Sequence, residues 1–234
     1  MKWKKRFFML ASLLPAMLLA STVPVGAIPL QQIDPGNFVS TIDNPYFPLA
    51  PGTTFTYRGE TEGVPTRNVT IVTNDTKVIL GVTTIVVHDQ VYENGVLAED
   101  TFDWYAQDKA GNVWYFGEDT KELDANGNVI STEGTWEAGV NGAEPGIVME
   151  ANPKKGDKYQ QEFAADVAED MAQVIGFVDS FCVSYGCFNN VLVTKEWTPL
   201  ERSIGFIYPE MGKSGDETSN SFGFAIEDLS RRKA

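Results

Sequence analysis

Histidine, cysteine and basic residues are scarce in this 234-residue sequence, and each shortage excludes a class of chemistry. The chain has one histidine, His88, and two cysteines, too few for a zinc site built from the usual four Cys and His ligands. Its 18 basic residues are outnumbered by 32 acidic residues, which gives a net charge of −14. Because a surface of that sign repels nucleic acid, we expect no nucleic-acid partner.

The motifs of common enzyme and cofactor sites are also missing. The sequence contains no Gly-x-Ser-x-Gly, no phosphate-binding loop and no dinucleotide fingerprint. Residues 124–128 resemble the start of a calcium loop, but glycine stands fourth, and Thr135 stands where such a loop has its bidentate Glu. A hairpin turn is therefore favoured there, and we predict no metal site and no cofactor.

A long apolar run without charge occurs only at the N-terminus. Four basic residues within positions 2–6 precede an apolar stretch at 7–20, and Val25-Gly26-Ala27 supplies the small residues of a cleavage site. This pattern predicts a signal peptide at residues 1–27, cleaved after Ala27. The apolar stretch, about 14 residues, is too short to span a bilayer. We expect a periplasmic or secreted protein whose mature chain has no membrane span. Because the signal peptide carries no acidic residue, its removal would change the net charge to −18.

The two cysteines are close together in the sequence Cys182-Val-Ser-Tyr-Gly-Cys187. Exported proteins fold in oxidising compartments, where such a pair forms a disulfide. A redox Cys-x-x-Cys motif has two intervening residues and this segment has four. The sequence therefore predicts a disulfide across a turn that joins two strands.

Strand signals dominate the chain after residue 50. Runs rich in β-branched and aromatic residues occur at 53–57, 69–72 and 83–87. Further along, Asn94-Gly95 and two copies of Asp-x-x-Gly-Asn-Val, at 108–113 and 124–129, recur at intervals of about 16 residues and are typical of tight turns. The segments between and after these turns, 97–106, 113–122 and 129–138, are predicted strands of an antiparallel meander.

The second half has a weaker pattern. Short strands are predicted at 146–149 and 191–197, whereas 164–173 has a helix-forming composition beside strand-like residues. We predict an all-β fold with at most one short helix, an antiparallel meander forming a curved sheet or partly open barrel. The predicted organisation is an irregular segment at 28–50, a single β-rich domain at 51–208, and a loose or divergent tail at 209–234.

Several motifs resemble those of an uncharacterised family of secreted bacterial β-rich proteins, and the likeness extends over residues 43–200. They are Asn-Pro-Tyr-Phe-Pro-Leu at 44–49, Pro-Gly-Thr-Thr-Phe-Thr-Tyr at 51–57, Asp-Trp-Tyr-Ala-Gln-Asp at 103–108, Gly-Asn-Val-Trp-Tyr-Phe-Gly-Glu-Asp at 111–119, and Thr-Lys-Glu-Trp-Thr-Pro-Leu at 194–200. The resemblance implies an exported β-rich fold but no activity. Residues 202–234 depart from the strand–turn–strand ending that it implies. The opening is also similar to that of periplasmic half-open β-barrel proteins such as lipoprotein carriers.

Aromatic and acidic residues cluster around the predicted turn at Gly111. If the flanking strands pair, aromatic side chains meet across them, which stabilises a hairpin by itself. The other interpretation is an aromatic-lined cleft rimmed by carboxylates, which suits an apolar or carbohydrate ligand. The candidate ligand-binding residues are Trp104, Tyr105, Trp114, Tyr115, Glu118, Asp119 and Trp136.

Three functional hypotheses follow from this cluster. The favoured one is an exported binding protein for a small apolar or carbohydrate ligand. The alternative is a secreted hydrolase that uses paired carboxylates, and a third is a structural or envelope-interaction module. The sequence identifies no catalytic residue, so a binding role is favoured over an enzyme. The carboxylates available for a pair are Asp100, Asp103, Glu118, Asp119, Glu133 and Glu137.

Overall fold

The computed structural model describes residues 33–61 and 63–198, together with the backbone of a strand at Ile204–Tyr208. The predicted signal peptide (1–27) and tail (209–234) lie outside the described residues. That last strand falls within the segment 202–234, where the sequence showed no strand pattern. It pairs with the strand before it, from Ile204 opposite Glu196 to Tyr208 opposite Leu192.

The fold is all-β, as predicted. In the described residues, helical structure is limited to one 3-10 turn at Pro35–Asn37. The strands are β1 (Phe38–Val39), β2 (Thr54–Thr61), β3 (Val64–Ile79), β4 (Val82–Glu93), β5 (Val96–Asp108), β6 (Val113–Leu123), β7 (Val129–Ser131), β8 (Trp136–Glu137), β9 (Glu144–Met149), β10 (Lys158–Gln160), β11 (Glu162–Phe163), β12 (Met171–Val183), β13 (Gly186–Trp197) and β14 (Ile204–Tyr208).

Ten of the strands form one antiparallel sheet that curls into a half-barrel. Its order is β11-β9-β6-β5-β4-β3-β2, with β1 added on β5 and both β7 and β8 on β6. The meander predicted from the turn residues is confirmed from β2 to β6. Asn94 and Gly95 both have positive φ, as the two central residues of a type I′ hairpin turn require.

The repeated turn motif also forms as predicted. The Oδ1 atom of Asp108 accepts a hydrogen bond from the Asn112 N–H at 2.9 Å, and Asp124 does the same for Asn128. The predicted third strand of this meander, 129–138, is wrong in extent. A turn in which the Thr135 N–H donates to the Thr132 carbonyl separates β7 from β8.

The remaining four strands form a smaller sheet in the order β10-β12-β13-β14. The helix-forming composition at 164–173 does not produce a helix, because Ala164 and Ala168 close a turn and β12 begins at Met171 to pair with β13. Here pairing across the sheet overrides local propensity. Cys182 and Cys187 lie opposite each other on β12 and β13 and form the predicted disulfide, which fits an extracellular or periplasmic protein.

Two hydrophobic core clusters form around the large sheet. The first joins Val72, Val87 and Val113 of the large sheet to Val174 and Leu192 of the smaller one. The smaller sheet therefore covers part of one face. The second core lies around the tryptophans of β5 and β6 and includes Ile79, Val82, Trp104, Trp114, Phe116 and Ala138.

Candidate functional site

The sequence-predicted site residues lie on both faces of β5 and β6. Successive side chains of a strand point to opposite faces, so Asp103 and Tyr105 share one face of β5 while Trp104 lies on the other. We call the first the acidic face. The second, which also carries Trp114 of β6, is called the tryptophan face.

A β-bulge in β6 determines which of its side chains join the acidic face. Asp103 is paired with Glu118, and Tyr105 with Tyr115, so three residue steps of β6 match two of β5. The extra residue is accommodated at Gly117, whose φ is 127°. Because directly opposite residues share a face, the bulge places Tyr115 and Glu118 together although their numbers differ in parity.

Aromatic contacts and hydrogen bonds connect the residues of the acidic face. The rings of Tyr105 and Tyr115 stack with centroids 4.8 Å apart, and the Tyr115 hydroxyl donates to Asp103 Oδ1 at 2.6 Å. Trp136 meets the Tyr115 ring edge-on at 5.5 Å, and its Nε1–H donates to Glu162 Oε2 at 2.8 Å. Four of the predicted residues, Tyr105, Tyr115, Glu118 and Trp136, are therefore brought together.

The other three predicted residues lie on the tryptophan face, which is packed and internally paired. The Lys77 Nζ atom lies 3.3 Å from the centroid of the Trp104 ring. Trp114 donates its Nε1–H to Asp108 Oδ2 at 2.9 Å. Asp119 makes an ion pair with Lys121 at 3.2 Å. Trp104 and Trp114 are only 7% and 9% exposed and act here as core residues, and Tyr115 and Trp136 of the acidic face are as deeply buried, at 8% and 5%.

Burial and mutual repulsion keep carboxyl groups of the acidic face protonated. Burial, with the neighbouring carboxylates Glu162 and Glu99, raises the pKa of Glu118 to about 8. Burial, with Asp170, raises the pKa of Glu162 to about 8. The pKa of the fully buried Asp103 also lies well above its ordinary value, because of desolvation. At neutral pH, Glu118 and Glu162 therefore hold a proton and can donate hydrogen bonds.

The acidic face is buried in part and open to solvent in part. Tyr105, Glu118, and Asp89 on β4 each keep part of their surface open to solvent. Burial is nevertheless the largest cause of the raised pKa of each, to about 6 for Asp89.

Sequence reasoning missed two members of this face, Asp89 and Glu162. Asp89 lies on β4, opposite Thr101 of β5. Its carboxylate accepts a hydrogen bond from the Thr70 hydroxyl at 3.0 Å. Its position in the alternating strand pattern could have revealed it. Glu162 is contributed by β11, 44 positions after Glu118, and no local signal connects them. The lone His88 contacts Asp100 at 2.7 Å and stacks on Phe102.

Within the described residues, no group of three or more His, Cys, Asp or Glu side chains could hold a metal ion. No helix in that part of the chain is long and apolar enough to cross a membrane. Comparison with protein-family models, curated proteins and solved structures finds no match for this chain. The family resemblance drawn from its motifs therefore stays a prediction.

Proposed function

We propose that this chain is an exported binding protein that holds a small apolar or carbohydrate ligand at the acidic face. The observation that carries the proposal is the combination of partial exposure and strong desolvation at Tyr105, Asp89 and Glu118. Sites with aromatic walls and a few convergent polar groups are where small ligands bind.

The chemistry of the acidic face suits a neutral ligand that offers both apolar surface and hydroxyl groups. The Tyr105 ring, which is partly exposed and stacks on the buried Tyr115 ring, provides flat apolar area. The protonated carboxyls of Glu118 and Glu162 can donate as well as accept hydrogen bonds. A sugar would use both features, whereas a purely apolar molecule would use only the rings. We therefore favour a carbohydrate over an apolar ligand.

Export is the second part of the proposal. The signal-peptide pattern of residues 1–27 supports it. So does the disulfide between Cys182 and Cys187, because such bonds persist in oxidising compartments. We infer a periplasmic or secreted location for the mature chain.

Tryptophan fluorescence tests the proposed site, because Trp136 lies on the acidic face and Trp104 on the opposite one. We expect a sugar or apolar ligand from a screened panel to change the emission of the parent protein. Trp136→Phe should abolish most of that change. Trp104→Phe, the matched control, should retain it. A change that survives Trp136→Phe and is lost in Trp104→Phe would place the ligand elsewhere, and no response to any ligand would contradict the binding role.

A carboxylate-dependent hydrolase is the second candidate, favoured by one observation. At neutral pH, Asp89, with a pKa of about 6, is mostly ionised, while Glu118, with a pKa of about 8, is mostly protonated. Acid–base catalysis needs such a division between two groups. Glu118→Gln would then abolish turnover of a bound sugar polymer and keep its binding, whereas Asp119→Asn on the other face would change neither. Binding without turnover in the parent protein would exclude the hydrolase.

A further inference from the structure

The dipeptide Asn-Gly, in which an asparagine readily loses its side-chain amide, occurs three times in the sequence. The pairs are Asn94-Gly95, Asn126-Gly127 and Asn141-Gly142, and all three asparagines are exposed. The reaction begins when the backbone nitrogen of the glycine attacks the side-chain carbonyl carbon of the asparagine and closes a five-membered ring. Glycine leaves this approach open because it has no Cβ atom, and nothing lies within 4 Å of where a Cβ would stand at any of the three.

The attacking N–H group is held by a hydrogen bond in only one of the three pairs. The Gly127 N–H donates to the Asp124 carbonyl at 2.9 Å. Within the described residues, the N–H groups of Gly95 and Gly142 donate no hydrogen bond. The Asp124 carboxylate also accepts from the Asn126 N–H at 2.8 Å, and its charge opposes loss of the neighbouring amide proton. Asn126 should therefore be the least reactive of the three.

The turns at Asn94 and Asn141 have the same shape. The φ values of Asn94 and Gly95 are 49° and 84°, and those of Asn141 and Gly142 are 52° and 83°. The Asn94 turn ends the hairpin of β4 and β5, where the flanking residues 93 and 96 are both exposed. A change of backbone at that turn would meet only solvent.

The Asn141 turn joins β8 to β9 and is flanked by buried residues. It is closed by the Ala143 N–H, which donates to the Val140 carbonyl at 2.9 Å. Ala138 and Ala143 are 3% and 5% exposed, and both belong to the core cluster that contains Trp136. A change of backbone length in this turn therefore has to be accommodated by the core.

We propose that Asn141 is a site of spontaneous deamidation and that its product loosens the turn between β8 and β9. The Gly142 nitrogen gives its proton to a water-derived base and bonds to Cγ of Asn141, and Nδ2 takes a proton from water and leaves as ammonia. A water molecule then opens the ring at either of its two carbonyls. The step is favoured because nucleophile and carbonyl are held in adjacent residues of one chain.

The two products differ in their effect on the turn. Aspartate keeps the original main chain, and Asp tolerates a positive φ as Asn does. Isoaspartate carries the main chain through the side-chain methylene, which adds one carbon between residues 141 and 142. The hydrogen bond between the Ala143 N–H and the Val140 carbonyl then survives only if the buried flanks of the turn move. The longer backbone, and not the new charge, is the change that reaches the core.

Peptide mass mapping of the folded protein, incubated at mildly alkaline pH, measures the reaction at each asparagine. We expect deamidation at Asn141 to be about fivefold faster than at Asn126, as the hydrogen bond of the Gly127 N–H implies. In urea the difference should disappear, because it comes from the fold. An unmodified Asn141, equal rates at Asn141 and Asn126 in the folded protein, or a difference that persists in urea would overturn the proposal.

Thermal unfolding of the incubated protein tests the effect on the turn. The Tm of the parent should fall by about 3 °C once Asn141 is converted, as loss of the turn hydrogen bond implies. Asn141→Gly keeps the positive φ and has no amide to lose, so its Tm should not change on incubation.

Two control variants separate the site and the product. Asn94→Gly should lose as much Tm on incubation as the parent, because Asn141 is intact. Asn141→Asp, before incubation, should match the fresh parent, because it has the charge without the longer backbone. A loss of Tm that Asn141→Gly does not prevent, or that fresh Asn141→Asp already shows in full, would contradict the loosening of the turn by isoaspartate.

Discussion

The acidic face and the tryptophan face are built from the same two strands, but their acidic side chains have different neighbours. On the tryptophan face, Asp119 has Lys121 as its partner. On the acidic face, Glu118, the adjacent residue, is surrounded by other carboxylates, and no ion pair in the described part of the chain reaches it. A face that pairs its charges stabilises the fold. A face that keeps carboxyls desolvated loses stability, which is why the ligand site that we propose lies there.

A substitution at the bulge that brings Tyr115 and Glu118 together should have the largest effect on the acidic face. A Cβ atom at Gly117 would lie 2.3 Å from the Trp136 carbonyl oxygen, at a φ that favours glycine. We expect Gly117→Ala to lower the free energy of unfolding by about 3 kcal/mol or more, measured by urea denaturation. Gly127→Ala, where φ is also positive but nothing lies within 4 Å, should cost about 1 kcal/mol. Equal losses would show that the bulge has no special role.

The dependence of stability on pH tests the electrostatic difference between the acidic face and the tryptophan face. Glu118 and Glu162 have pKa values of about 8 in the folded protein, whereas their ordinary value is 4.5. Between these values the unfolded chain gives up protons that the folded chain keeps. Rising pH therefore favours unfolding, and the free energy of unfolding should fall by on the order of a few kcal/mol from about pH 5 to pH 8.

Variants at two adjacent residues show which face causes the dependence of the free energy of unfolding on pH. Glu118→Gln should flatten it only in part, because Glu162, Asp89 and Asp103, whose pKa values are also raised, continue to titrate. Asp119→Asn, on the tryptophan face, should retain the parent slope. Urea titrations at several pH values measure both variants. A slope that Asp119→Asn changes as much as Glu118→Gln would contradict the electrostatic difference between the faces.

The smallest expected effect concerns the tryptophan face. Lys77 lies over the Trp104 ring and makes an ion pair with Glu137 at 2.7 Å, with its side chain about one-third exposed. Lys77→Gln should lower the free energy of unfolding by about 0.5–1 kcal/mol. It should leave any ligand-induced change in fluorescence intact. Loss of the ligand response together with a small loss of stability would assign a functional role to the tryptophan face.

Local signals in the sequence predict more of the fold than of the site. Asn94-Gly95 and the Asp-x-x-Gly-Asn-Val turns predicted where β4, β5 and β6 begin and end, because turn conformations depend on a few adjacent residues. The same signals failed at 129–138, where contacts with β6 divide the segment into two short strands. At 164–173, composition favoured a helix that pairing with β13 prevents.

The candidate site could be predicted only in part, for a related reason. Tyr105 and Tyr115 were placed together by the hairpin at Gly111, and they do stack. The alternation of strand side chains separates Trp104 and Trp114 from them, although all four are close in sequence. Glu162 approaches Trp136 from a distant strand, and that contact depends on the order of strands in the sheet, which adjacent residues do not encode.

The sequence by itself determined the all-β class, the turns of the meander and the disulfide between Cys182 and Cys187, because each depends on residues that are neighbours in the chain. Only the tertiary structure decided which carboxyls lie together and which are paired with a cation. Glu118 and Asp119 are chemically similar and adjacent, yet desolvation and surrounding charge, which are properties of a face and not of a residue, raise the pKa of Glu118 to about 8, while Asp119 pairs with Lys121.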